Sequence, residues 1–269
     1  MRCSWIVPTD SRKTLTRSPL RTVGYFRNLQ IRIDVASWRT TDGVLPREQA
    51  LARIDDAIFA GPGSPTYALG VWEHSRLRDI LTGKLTSGGC VAFASAAAAT
   101  LGLATVPVYE IYKVGAAPYW AQGMDLLAQI GLRAAVIPHY DNAEGGTHDT
   151  RFCYLGERRL RLLESMLEAD TVVLGVDEHT AAVFDLDADT VTVLGRATLT
   201  VRRQGVSTVF ATGSTVAIDE LRAIAAGGEP RLGSASAQPS AAGTTRHHRC
   251  ARKLNGWSTS SLPGYGVAT

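Results

Sequence analysis

The sequence predicts an α/β fold built on a mostly parallel sheet. Three observations carry that prediction. Short apolar runs of strand length, "AIFA", "CVAFAS" and "RAAVIP", recur along the 269-residue chain. Segments with helical spacing, "PREQALARIDDA" and "ALGVWEHSRLRDIL", stand between them. Gly- and Pro-rich turns mark each change of state, and strands that alternate with helices build parallel sheets.

The elements follow in order. "TVGYFRNL" reads as a helix end and "IRIDVASW" alternates as a strand does. "PREQALARIDDA" opens with Pro46 at a first-turn position, where the missing N–H costs nothing. "AIFAGPGSPTYAL" is an apolar strand that runs into a turn and then the next helix. "GGCVAFAS" pairs two glycines with a short buried strand and places Ser95 at the start of an alanine-rich helix. "RAAVIPHYDN" is a strand ending in a polar loop. In "RFCYLGERRLRLLESML", Leu160, Leu163 and Leu167 share one helix face. The stretch from Thr171 to Arg203 gives short strands with a turn at Asp187 to Asp189, an antiparallel finish. From Gly227 the composition shifts to Gly, Ser, Ala and Arg without period, which predicts a disordered tail over 227–269. The folded domain is expected over 22–226, and residues 1–21 as an extension outside it.

Composition excludes several classes of function. The formal net charge is +3 with 20% charged residues, too balanced to point to a nucleic-acid or membrane surface. Cys3, Cys90, Cys153 and Cys250 show no paired intervals, which argues against a disulfide framework and a structural zinc site. No apolar run reaches the roughly 18 to 20 residues of a membrane span. The expectation is a soluble, cytoplasmic protein with no metal or organic cofactor. Neither a nucleic acid nor a membrane is expected as a partner, and oligomeric state is not readable.

In open parallel sheets, ligands sit beyond the carboxyl ends of the strands. Three loops fall there: "GPGSPT", the turn holding Ser95, and "PHYDNAEGGTHD". A serine between a buried strand and a helix is held on a sharp turn with its hydroxyl exposed, and the following N–H points into the same space. Ser95 and the Ala96 amide meet that description. His139 follows the strand "AAVIP" and is the expected base; Glu110 or Asp125 is the carboxylate that would orient it. A second oxyanion donor would come from the Gly63 or Ser64 N–H. Ser64, Asp141 and Asn142, on the same loops, are expected substrate-binding residues.

Four stretches in this order, "AGPGSPTYAL", "FASAAAA", "IPHYDNAEGGTHDTRFCYLGERRL" and "GVDEHTA", resemble the serine peptidase family of dipeptidase E and cyanophycinase. The resemblance covers about Thr22 to Arg203. It implies the three-layer α/β fold of the class I glutamine amidotransferase-like kind, with Ser95 as nucleophile, His139 as base and Glu110, preferred over Asp125, as acid. Gly63 and Ala96 would supply the oxyanion amides. Arg151, Arg158 and Glu178 would border the substrate or brace the loop, with Arg158 and Glu178 as an alternative ion pair. His148 and His179 have no partner at metal-ligand spacing. Relatives favour peptides with acidic residues, which Arg151 could bind.

The sequence departs from that pattern at two places. The elbow normally carries small residues two before and two after the serine, and here Phe93 and Ala97 stand there. Either the turn opens around Phe93 or its ring points into the core. The domain also lacks, on this reading, its first strands, since "CSWIV" is the sole strand-like run before Thr22. The expected function is a serine-type peptidase or amide hydrolase with a Ser-His-Glu triad, acting on a small peptide or amide. The alternative is a non-catalytic, degenerate relative that keeps the pocket as a binding module.

Overall fold

The computed structural model describes residues 2–7, 23–24, 26–28, 32–37, 49, 51 and 57–229. In chain order, β1 is Arg2–Val7, β2 Arg32–Ser37, β3 Ala57–Ala60, α1 Pro65–Trp72, α2 Leu77–Thr86 and β4 Cys90–Phe93. β5 (Ala104–Thr105), β6 (Ala121–Gln122), β7 (Ala134–Pro138), α3 (Gly156–Glu164) and β8 (Val172–Val176) follow. The last elements are β9 (Thr180–Asp185), β10 (Thr190–Gly195), β11 (Thr198–Arg203), β12 (Val206–Ala211), β13 (Thr215–Ala217) and α4 (Ile218–Ala225). The chain is a mixed α/β protein with parallel strands and helices, as the alternation of elements predicted.

β2, β1, β3 and β4 form one all-parallel sheet in that order. A six-stranded sheet runs β12-β11-β8-β7-β5-β6, parallel at β5, β7 and β8 and antiparallel where β6, β11 and β12 join it. β9, β10 and β13 make a small antiparallel sheet. The antiparallel finish expected from the short strands after Thr171 is therefore present. So is the apolar face of α3 at Leu160 and Leu163, which are fully buried; Leu167 lies past the end of the helix and packs on the same cluster.

Two expectations about the start of the chain are corrected. Arg2–Val7 is a strand between β2 and β3, so residues 2–7 belong to the sheet rather than to an extension, and a first parallel strand is not missing. An apolar run of this length is too short to declare itself against its charged surroundings. The expected tail lies outside the described residues from residue 230 on, and "PREQALARIDDA" does too except for residues 49 and 51, which are helical. Cys90 is disulfide-bonded and Cys153 is a buried free thiol. The bonded Cys90 corrects the expectation, drawn from the cysteine intervals, that no disulfide forms. Among the described residues no helix is long and apolar enough to cross a membrane.

α1 begins where the sequence says it should. Ser64 caps it by accepting a hydrogen bond from the Tyr67 N–H at 3.2 Å, and Pro65 fills the first turn. The segment after Ser95 does not form the expected alanine-rich helix. It makes turns and one 3-10 turn at Ala98–Thr100. Ala97, Ala98 and Ala99 are buried, and a Cβ at Gly102 would overlap the backbone of Ala134 in β7. Contact with β7 ends the run and turns the chain into β5. Phe93 and Leu101 pack against two apolar clusters at once, one around β7, β8 and β11 and the other around α1 and α2.

Candidate active site

β3, β4 and β7 deliver their carboxyl ends to one rim, and the loops that leave them line a cavity of about 210 Å³ that contains Gly63, Ser95, Ala96 and His139. Ser95 follows β4 by two residues and holds a left-handed backbone conformation, φ 54°. Such a conformation costs a non-glycine residue about 1–3 kcal/mol. Here the ladder bond from the Ala94 N–H to Ala60 O (2.9 Å) fixes the chain before it, and the Ala99 N–H to Ser95 O bond (3.2 Å) fixes it after. Of the two outcomes open for Phe93, the structure has the ring packed on the core clusters, with Ser95 still partly exposed at the cavity.

Ser95 Oγ lies 3.0 Å from His139 Nε2, and His139 Nδ1 lies 3.0 Å from Glu178 Oε1. The structure brings the expected serine and histidine together, but the carboxylate on the histidine is neither of the two expected ones. Glu110 does not meet His139: its Oε1 accepts a hydrogen bond from Thr66 Oγ1 at 2.5 Å, and its Oε2 is buried without a partner. Asp125 faces Arg78 at 3.9 Å. The reason is strand register. β7 and β8 are parallel neighbours with Pro138 opposite Val176, so His139 and Glu178 leave adjacent strand ends side by side. Glu110 instead begins a π-helical turn, Glu110–Val114, beyond β5. The signal that could have found Glu178 is the matching of two five-residue apolar strands that end in "PH" and "VDE".

The "GVDEHTA" stretch is built around that contact. A Cβ at Gly175 would overlap the ring of Tyr140, the residue after His139. Asp177 Oδ2 accepts from the Thr198 N–H (3.0 Å) and hydroxyl (2.6 Å), while burial pushes the Asp177 carboxyl upward in pKa. The Glu178 N–H donates to Asp141 Oδ1 at 2.7 Å. Thr180 Oγ1 accepts from the Ala197 N–H at 3.0 Å. Glu178 is thus held by its backbone as well as by the histidine, and no ion pair joins it to Arg158, which lies exposed on α3.

Of the expected substrate-binding residues, none among Ser64, Asp141, Asn142 and Arg151 lines the cavity. Ser64 caps α1. Asp141 braces Glu178. Asn142 is buried, and its Oδ1 accepts from the Glu144 N–H at 3.2 Å, an Asx turn within the loop. Arg151 grips Asp149 with two hydrogen bonds of 2.9 Å, and that contact holds the Asp149 carboxyl well below the usual carboxylate range. His148 meets the Tyr112 hydroxyl at 3.3 Å. No group of three or more possible metal ligands occurs among the described residues.

The sequence reading missed Arg202. It is buried on β11, forks onto both oxygens of Glu157 (2.8 and 3.1 Å) and also reaches Glu164 at 2.9 Å. Its guanidinium lies 5.5 Å from the Phe152 ring centroid. Phe152, Cys153 and Tyr154 are three consecutive residues at positive φ. The Phe152 and Cys153 N–H groups donate to the carbonyls of Tyr140 and His139. The Arg202 network therefore sits under the loop that carries the histidine.

No protein-family model and no curated protein sequence matches the chain. Among solved structures, a peptidase from an acI-B1 Actinobacterium superposes with a TM-score of 0.62 at 18% identity, covering 80% of this chain and 83% of that one. This likeness shows a shared α/β fold. A peptidase E candidate from Listeria monocytogenes EGD-e gives a TM-score of 0.48 at 10% identity over 79% and 86% of the two chains.

Proposed function

We propose that the protein is a serine-type peptidase or amide hydrolase of the dipeptidase E and cyanophycinase kind, working through an acyl-enzyme. The observation that carries this reading is the unbroken chain Ser95 Oγ, His139, Glu178, with 3.0 Å at each link, on a strained turn at the mouth of a cavity. The peptidase of shared fold supports it. With Glu178 on Nδ1, the imidazole carries its proton there and leaves Nε2 free to accept one. His139 Nε2 takes the Ser95 proton as Oγ attacks the substrate carbonyl carbon. The carbonyl oxygen becomes an oxyanion held by the Gly63 and Ala96 amides. Collapse breaks the C–N bond, His139 returns the proton to the leaving amine, and water then hydrolyses the ester by the same route. Every step runs on residues that line the cavity or touch its histidine, and the expected acid role moves from Glu110 to Glu178.

Fluorophosphonate labelling of the folded protein, with mass spectrometry to locate the adduct, tests the reading. The expected result is an adduct on Ser95 that Ser95→Ala removes. A cooperatively melting protein that takes no label on Ser95 overturns it and favours a pocket used for binding alone.

A further inference from the structure

The cavity beside Ser95 has two unlike halves. Its inner wall is Ala99, Val106, Val108 and Cys153, each at most 8% exposed and each part of the apolar cluster that also holds Ile137 and Leu160. The thiol is the one polar group in that wall, and burial pushes its pKa up to about 12, so it stays neutral. The outer wall is Tyr109, Tyr112 and Tyr154. The rings of Tyr112 and Tyr154 lie 4.8 Å apart. Their hydroxyls are engaged by His148 and Glu144, neither of which lines the cavity.

The charges nearby are mostly negative. Glu178 stands behind His139 and Glu144 behind Tyr154. Glu110 holds Thr66, the neighbour of the lining residue Pro65. Histidine apart, Lys113 is the single cation in the lining among the described residues. It is exposed, and its ammonium rests 4.8 Å above the Tyr109 ring, on the outer side. Arg151 is spent on Asp149.

Resting on the hydrolase reading, we propose that this cavity receives the acyl-side side chain of the substrate and selects an uncharged apolar one, up to aromatic size. Tyr112 and Tyr154 are the residues that set the specificity. An apolar side chain entering it removes apolar surface from water on both partners. A carboxylate entering it gives up its water, finds only the weak Cys153 S–H donor on the inner wall to replace it, and enters a wall whose residues are backed by Glu178, Glu144 and Glu110. The volume of about 210 Å³ lies below the ~300–1,000 Å³ of pockets that enclose whole drug-sized ligands, in keeping with a pocket for one side chain.

The test is protection of Ser95 in the full chain from fluorophosphonate by N-acetylated aldehydes of leucine, phenylalanine and aspartate, which add reversibly to an activated serine. The leucine and phenylalanine aldehydes are expected to protect at concentrations at least about tenfold lower than the aspartate aldehyde. Tyr112→Arg places a guanidinium in the wall and is expected to shift the preference toward aspartate by a similar factor. The pocket assignment is overturned if aspartate protects as well as leucine, if no aldehyde protects a serine that does label, or if Tyr112→Arg leaves the ratio unchanged. Absence of any label on folded protein sinks the hydrolase reading itself and the pocket with it, so the two failures are distinct.

Discussion

Glu178 and Glu110 are two carboxylates within reach of one cavity, and their hydrogen bonds assign them different work. Glu178 holds His139 Nδ1 at 3.0 Å and so fixes the tautomer that leaves Nε2 able to accept a proton. Glu110 is tied to Thr66, whose hydroxyl is in turn 3.0 Å from the α1 cap Ser64. Replacing Glu178 by glutamine keeps the shape and removes the charge, and an amide N–H facing Nδ1 favours the wrong tautomer. We predict that Glu178→Gln slows labelling of Ser95 on the order of 10²–10⁴-fold. Glu110→Gln is expected to slow it less than about tenfold, since its effect passes through the α1 cap. Fluorophosphonate rate constants for the two variants decide the matter, and the reverse order would return the acid role to Glu110. The serine and histidine stand out in the sequence from local order, because His139 directly follows an apolar strand and Ser95 follows one by two residues. The acid does not, since choosing among carboxylates needs the register between strands, which no local pattern encodes.

At the scale of elements, β7 and β8 act as the ruler that sets the site. Five consecutive residue pairs, Ala134 with Val172 through Pro138 with Val176, align the two strand ends. The loop after β7 then folds back, and the Tyr140 ring covers Gly175. A methyl group there has no room, so Gly175→Ala must displace Tyr140 and, with it, the adjacent His139. Overpacking of this kind costs about 1–3 kcal/mol. The prediction is a lower melting temperature together with slower Ser95 labelling. A variant that melts like the parent and labels at the same rate would show that the ring yields without moving the histidine. The strands themselves were readable because β7 and β8 are wholly apolar, as buried parallel strands are. The helix expected after Ser95 was misread for the opposite reason. Alanine has the highest helix propensity, but tertiary contact at Ala97 to Gly102 overrides it.

Across the molecule, the Arg202 network joins α3 to β11 beneath the histidine loop. Arg202 and Glu164 have side chains only 5% and 6% exposed, so removing the arginine leaves a buried carboxylate without its cation. Breaking such a pair costs about 3–5 kcal/mol. Arg202→Leu is expected to lower the melting temperature at neutral pH and to slow Ser95 labelling, because Phe152 loses the guanidinium beneath it. The same network makes stability depend on acid. Hydrogen bonds from Arg202, then Arg161, lower the Glu157 pKa from 4.5 to about 2. A carboxyl whose pKa is depressed on folding contributes stability that is complete above its unfolded value and disappears as pH falls through the folded one. Asp149, held down by Arg151, adds in the same direction. Asp177 opposes them, since burial raises its pKa and its contribution fades as pH rises instead. With two groups against one, the parent is expected to lose melting temperature as pH falls from about 4.5 to 2. Glu157→Gln should melt lower at neutral pH and show a shallower loss across that window. Melting curves of both proteins at half-unit steps of pH test this, and parallel curves would mean that Glu157 carries its proton alike in the folded and unfolded chains.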